Sequence, residues 1–271
     1  MDPSRLARDV KEAFSRNELL LYASAISFRV FFAIIPLLLF TFGALGFLHL
    51  GEVWRDDIAP DIKPDMSQAA FQVVDDTISN VLGREQFFWA TLGAAIAVWQ
   101  ISGAMRMIIK ASNRIYDVRE RRPVVRVFAV SIALGIAAAI LVLGAVALIE
   151  FGGPLVEELF GKGTLLGALA FVVRWVFAVA LLLLLVGLVV RFAPAKRRPL
   201  EWVSFGAVVV VAAWIVMSLG FDFYLTTLAN YGSVFGNLAT VIIAIEYVFL
   251  SSIVFVSGIQ IDALTRREAE R

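Results

Sequence analysis

Three cations recur at i, i+4 and i+8 near the end of one apolar stretch: Arg106, Lys110 and Arg114. On a helix that spacing stacks them along one face, where like charges repel unless an anion or an acid lies opposite. The stripe therefore points to a phosphate-bearing ligand or a lipid headgroup. Arg29, at the edge of another apolar stretch, is read with them as a headgroup candidate, because its long stem can snorkel towards water. Arg174 and Glu246 pose a different problem. Each lies about two helical turns inside an apolar stretch, at matching depth and with opposite sign. A charge inside a membrane is expensive and functional by default. Alone, either would be uncompensated, so an intramembrane ion pair between them is expected.

Other chemistry is excluded by what the chain lacks. There is no cysteine, and His49 is the single histidine. Thiol catalysis, disulfides and histidine-based metal sites or triads are therefore not expected, nor are any cofactor, catalytic residues or enzymatic activity. No phosphate-cradling ATP loop is present, so a transport cycle would draw on a gradient or a partner.

The elements that must position these residues are six apolar runs: Val30–Leu50, Phe87–Ile109, Phe128–Ile149, Ala168–Val190, Trp202–Phe221 and Leu238–Ile261. About 20 apolar residues of helix span a hydrocarbon core of about 30 Å, so the class is an all-α integral membrane protein with six transmembrane helices in one membrane domain, 1–271. Hydrophobic residues make up 60% of the chain and charged ones 17%, far from a soluble average. Eighteen Lys and Arg lie in the terminal segments and the second and fourth linkers, against four (Arg55, Lys63, Arg84 and Lys162) on the other side. That bias places both termini in the cytoplasm and gives a basic inner face suited to anionic lipids, with no nucleic acid as partner. Eight acids lie in the outer linker 51–86, where Phe71, Val74, Ile78 and Val81 also form the apolar stripe of an amphipathic helix. Residues 1–29 are read as interfacial helices at the inner leaflet, Leu19–Phe28 forming one separate from the first span. Pro36 should kink that span. Two inner turns, Arg119-Glu120-Arg121-Arg122-Pro123 and Ala195-Lys196-Arg197-Arg198-Pro199, resemble each other.

Several short segments carry a family resemblance. They are Ala25-Ile26-Ser27-Phe28 with Ile35-Pro36-Leu37-Leu38, Asn113-Arg114-Ile115-Tyr116 with Arg121-Arg122-Pro123, and Asn230-Tyr231-Gly232-Ser233-Val234-Phe235-Gly236. In order and placement they resemble the YihY/BrkB family of bacterial inner-membrane proteins over essentially the whole chain. Pro36, Asn113, Asn230, Tyr231, Gly232 and Gly236 are the motif positions. The family usually reads Gly-x-Glu near the end of the sixth span, where this chain has Gly258-Ile259-Gln260. The resemblance implies a multi-pass protein of the bacterial inner membrane, for which transport or export of lipid-related molecules has been proposed. An old ribonuclease label attached to the family finds no acid–base or metal cluster in this sequence.

The expected function is a transporter or exporter of an anionic lipid or other amphipathic molecule, which requires a polar-lined cavity reaching midmembrane. The rival is a membrane scaffold that organises envelope-assembly partners and needs only a closed, dry bundle. Small residues in the third span (Gly135, Ala139 and Gly144) would permit a homodimer.

Overall fold

The computed structural model describes residues 12–47, 53–65, 68–83, 86–150, 152, 165–196, 205–225 and 239–269, and among them every regular element is helical. The long helices are α1 (Leu19–Phe47), α2 (Gln68–Gly83), α3 (Gln86–Ile115), α4 (Val124–Glu150), α5 (Leu165–Phe192), α6 (Phe205–Phe223) and α7 (Ala239–Ala269). All but α2 are long and apolar enough to cross a membrane, giving six spans.

Contacts between successive spans show their direction. Gly43 of α1 meets Ala90 of α3, Gly93 meets Pro36 and Phe40, and Gly103 meets Arg29, so one helix descends as the other climbs. The same antiparallel pairing joins α3 to α4 (Ile101 to Gly135), α4 to α5 (Leu181 to Gly144) and α6 to α7 (Gly206 to Asp262, Ser218 to Tyr247). Helix α7 also packs along α1, which closes the six spans into a ring. One end of the ring carries Arg119, Arg121, Arg122, Arg126 and Lys196, and the other carries Asp56, Asp61, Asp75 and Asp76. They are called the basic and acidic ends below.

The N-terminal reading needs correction. Leu19–Phe28 is no separate inner-leaflet helix, because α1 runs unbroken from Leu19 through Arg29 and Pro36 to Phe47. The break lies earlier, at Asn17 and Glu18, where Glu18 adopts a left-handed φ of 56°. Arg29 is therefore ten residues inside a span rather than at its boundary. Residues 1–11 and the segment 226–238, which holds Asn230, Tyr231, Gly232 and Gly236, lie outside the described residues.

The core is concentrated at the basic end. Leu19, Ala23, Ile108, Ile109, Ile115, Val186, Val189, Ala207, Val210, Val256 and Ile259 are all 5% exposed or less and form one cluster. Helices α1 and α3 stay packed along their whole length because Gly43, Gly93 and Gly103 let their backbones approach. Towards the acidic end the other spans bury less, although Ser218 with Tyr247 still joins α6 to α7 and Gly144 with Leu181 joins α4 to α5. No residue of α6 beyond Val211, and none of α7 from Val241 to Ser251, is buried. Helix α2 packs chiefly on α1. Beside it Trp54, 1% exposed, stacks edge-on against Phe42 and donates its indole N–H to Asp75 at 2.9 Å, closing a small cluster with Ala59 and Ile78.

Candidate functional site

The basic end is sealed by polar groups as well as by the core. Because the helix breaks at Asn17, its amide is free to turn into the bundle, where it donates to Gln260 Oε1 at 2.7 Å. Gln260 is 1% exposed and Asn17 is 6% exposed. Two residues along α7, buried Asp262 accepts from Tyr116 Oη at 2.9 Å and from Arg266 Nε at 2.9 Å. A buried carboxylate needs both partners, since leaving one unmade would strand charge in a low dielectric. Gly206 and Gly258 allow α6 to lie flush on α7 here; a Cβ at Gly206 would collide with Asp262, and one at Gly258 with Val210.

A second network ties the two basic turns together. Helix α3 ends in a Schellman arrangement, with Asp117 left-handed (φ 54°), Val118 N bonded to Asn113 O and Asp117 N to Arg114 O. Asn113 then bridges the turns, donating to Glu120 Oε2 at 2.8 Å and accepting from Ala195 N at 2.8 Å. Glu120 in turn accepts from Arg122 along one guanidinium edge, Nε at 2.8 Å and Nη2 at 2.7 Å. The Arg122 fork also reaches the last carbonyls of the fourth span, Phe192 O at 3.3 Å and Ala193 O at 2.8 Å. The Arg122 hydrogen bonds hold the Glu120 carboxyl well below its ordinary value, at about 2. Beside this network lies a cleft of about 650 Å³ lined by Arg119, Arg121, Arg122, Arg126 and Lys196.

Above the seal lies an apolar cavity of about 290 Å³ to which all six spans contribute, among them Ile26, Ile108, Ala138, Val189, Trp214 and Phe255. Its floor is closed, with Ile108 and Val189 at 5% and 1% exposure, whereas Val142 at its upper rim is 41% exposed. A further apolar cavity of about 320 Å³ opens between α1, α3 and α4 in the acidic half, beyond the point where Gly135 meets Ile101. Among the described residues this central cavity is apolar, not the polar-lined one expected of a transporter. Ser251 and Ser252 are the polar side chains on the central lining, and Ser252 Oγ is bonded back to Val248 O.

This arrangement is accompanied by clear sequence relatives. The family sequence model described as Virulence factor BrkB matches residues 10–271. The chain belongs to the BrkB family. A Bacillus subtilis (strain 168) relative named "Putative ribonuclease-like protein YfkH" is 28% identical over 264 residues, covering 95% of both chains. A "UPF0761 membrane protein" of Aeromonas salmonicida is 23% identical over 275 residues, covering 97% of this chain and 89% of its own. No solved structure matches.

The residues expected from sequence fall into three groups. Among the BrkB motif positions, Asn113 is the hub of the turn network and Pro36 faces Gly93 at the α1–α3 contact. Arg106, Lys110 and Arg114 share one face of α3: Arg29 of α1 lies across that face at Gly103, and Arg106 sits over the rings of Trp99 (5.8 Å) and Phe128 (5.0 Å) while donating to Ser102 Oγ at 3.1 Å. Arg114 reaches Arg16 O at 3.5 Å, so the groups opposite the stripe are a carbonyl and a further arginine rather than an acid. Arg174 and Glu246 are not brought together. Helix α5 packs on α4 and α6, not substantially on α7, and among the described residues Arg174 lies over the Phe171 ring at 5.2 Å and against Gly152. Glu246 keeps other contacts. Depth read from the sequence carries no information on which helix face each charge takes. Gly135 and Gly144 likewise face Ile101 and Leu181 of the same chain.

Sequence reasoning missed Asn17, Tyr116, Glu120, Gln260 and Asp262. Their signal was present as polar side chains in the terminal turns of apolar spans, where a loose surface end would need none of them.

Proposed function

We propose that this BrkB-family protein is a gated transporter or exporter of amphipathic molecules, working across the bacterial inner membrane with its basic end in the cytoplasm. The observation that carries the reading is the cavity to which all six spans contribute, floored by a tightly packed, hydrogen-bonded seal. A scaffold has no use for a hollow centre above a plug. The apolar lining favours an acyl or isoprenoid chain over a hydrated solute. At about 290 Å³ the cavity is at the small end of ligand pockets, which run to roughly 300–1,000 Å³, so it fits one chain segment rather than a whole lipid. The basic cleft beside the seal suits an anionic headgroup on the same side. The orientation rests on the eighteen-to-four bias of Lys and Arg. The role is read as non-enzymatic, since the chemistry on offer is charge and shape.

The test is lipid movement between leaflets in proteoliposomes, read as quenching of fluorescent phosphatidylglycerol from outside. The protein should accelerate it, and Ala138→Phe, which fills the cavity, should reduce the gain about tenfold or more while the thermal midpoint stays within a few degrees. Equal rates with and without protein, for anionic and zwitterionic probes alike, would leave the scaffold as the better account.

A further inference from the structure

We infer that the outer face of α3 is a binding site for one anionic phospholipid of the basic-end leaflet, outside the central cavity and independent of whether the chain moves substrate. The face reads Phe88, Trp99, Arg106, Lys110 and Arg114 at helical spacing, with the Arg29 guanidinium laid across it at Gly103. Trp99 is 59% exposed and Phe88 is 52% exposed, while Lys110 and Arg114 are exposed at the basic end. The stripe therefore turns to lipid rather than into the bundle.

Two features mark this as a site rather than a topology signal. The first is depth. Arg106 lies nine residues from the end of a 30-residue helix, so about 14 Å in along a helix of about 45 Å. The headgroup zone takes only about 5–8 Å of each side of the bilayer. A helix of that length exceeds the core of about 30 Å by about 15 Å, so Arg106 and Arg29 fall just inside the core edge, within a side chain's reach of a lipid phosphate. The second is sign. Arg29 crosses α3 at Gly103, less than one turn from Arg106, so two cations share that stretch of the face, and neither is ion-paired with a carboxylate among the described residues. Two adjacent cations at such depth are tolerable when a phosphate bridges them. Arg106 is clasped between Trp99 and Phe128 with one nitrogen on Ser102, which presents the rest of its fork to a ligand. Lys110 and Arg114 continue the ladder to the surface, so a headgroup is handed inward while its chains lie along Trp99, about 10 Å from Arg106 along the helix. A doubly charged lipid would use the whole ladder.

Full-length protein in detergent, titrated with phosphatidylglycerol or phosphatidylcholine carrying brominated chains, tests this directly. The brominated anionic lipid should quench tryptophan fluorescence at a concentration roughly tenfold lower than the neutral one, and Trp99→Phe should remove that saturable component. Arg29→Gln with Arg106→Gln should shift the anionic curve about tenfold and leave the neutral curve in place; Arg106→Lys alone, which keeps the charge and loses the fork, should give part of the shift. Inorganic phosphate at millimolar concentration should not compete, because it has no chains to lay on Trp99. Identical curves for the two lipids, unchanged anionic quenching in Arg106→Lys and the double variant, or full displacement by phosphate would each overturn the site.

Discussion

Glu120 shows how one side chain can hold two turns. Its carboxylate accepts from Asn113, from Arg122 N and from the Nε and Nη2 of the Arg122 guanidinium, and its folded pKa lies at about 2 against an ordinary 4.5. Since the folded value is depressed, the stabilisation is present above the ordinary pKa and is lost as pH falls from about 4.5 towards 2. Detergent-solubilised protein should thus lose thermal stability between about pH 5 and pH 3, and Glu120→Gln should start lower and fall less over that window. Parallel falls would mean that other carboxylates govern acid sensitivity. The seal at Asp262 makes a second case. Tyr116→Phe removes one of two donors to a carboxylate that is 2% exposed, which should lower stability by about 1–3 kcal/mol. At the turn before α1, Glu18 pays a left-handed φ without being glycine. Glu18→Gly should raise the thermal midpoint, since a left-handed L-residue costs roughly 1–2 kcal/mol. These side chains escaped a reading based on charge inside spans because they sit in terminal turns, where polar residues are ordinarily taken as solvated.

At the scale of elements, the six spans were legible because 18 or more apolar residues have few alternatives to crossing, while their boundaries and faces were not. The break before the first span was expected at Arg29, the nearest charge, yet α1 tolerates Arg29 because its stem lies along Gly103 and its head reaches the outer face of α3. Helix pairing depends on glycines whose role no periodicity reveals. A Cβ at Gly93 would press on the backbone of Phe40 and Pro36, whereas one at Gly220 would meet nothing within 4 Å. The two positions therefore predict opposite signs for the same substitution. Gly220→Ala should stabilise by about 0.5–1 kcal/mol through helix propensity, and Gly93→Ala should destabilise by about 1–3 kcal/mol by forcing α1 from α3. Chemical denaturation of both variants would check this; a destabilised Gly220→Ala would mean that the open face is covered by a partner.

On the scale of the whole molecule, two asymmetries run along one axis: positive charge and tight packing gather at the same end. The charge bias could be read from the sequence, whereas the packing bias could not, because α6 and α7 look equally apolar along their length and only the structure reveals where their side chains cease to be buried. A bundle tightly packed at one end and loosely packed at the other has an obvious second arrangement, in which the basic end opens. The bonds that resist this are those between Asn17 and Gln260 and between Tyr116 and Asp262, each joining α7 to a different part of the chain. The absence of native cysteine makes the idea testable with single thiols. In membranes of known sidedness, Val142→Cys at the cavity rim should react with an impermeant maleimide from the acidic side, and Val189→Cys, at 1% exposure, should resist it from either side. Adding Gln260→Ala and Tyr116→Phe should make Val189→Cys reactive from the basic side alone, with a rate rise of about tenfold for each 1.4 kcal/mol removed from the closed state. If Val189→Cys stays protected while the protein remains folded, the packed core closes that end by itself and the polar bonds are structural pins rather than a gate.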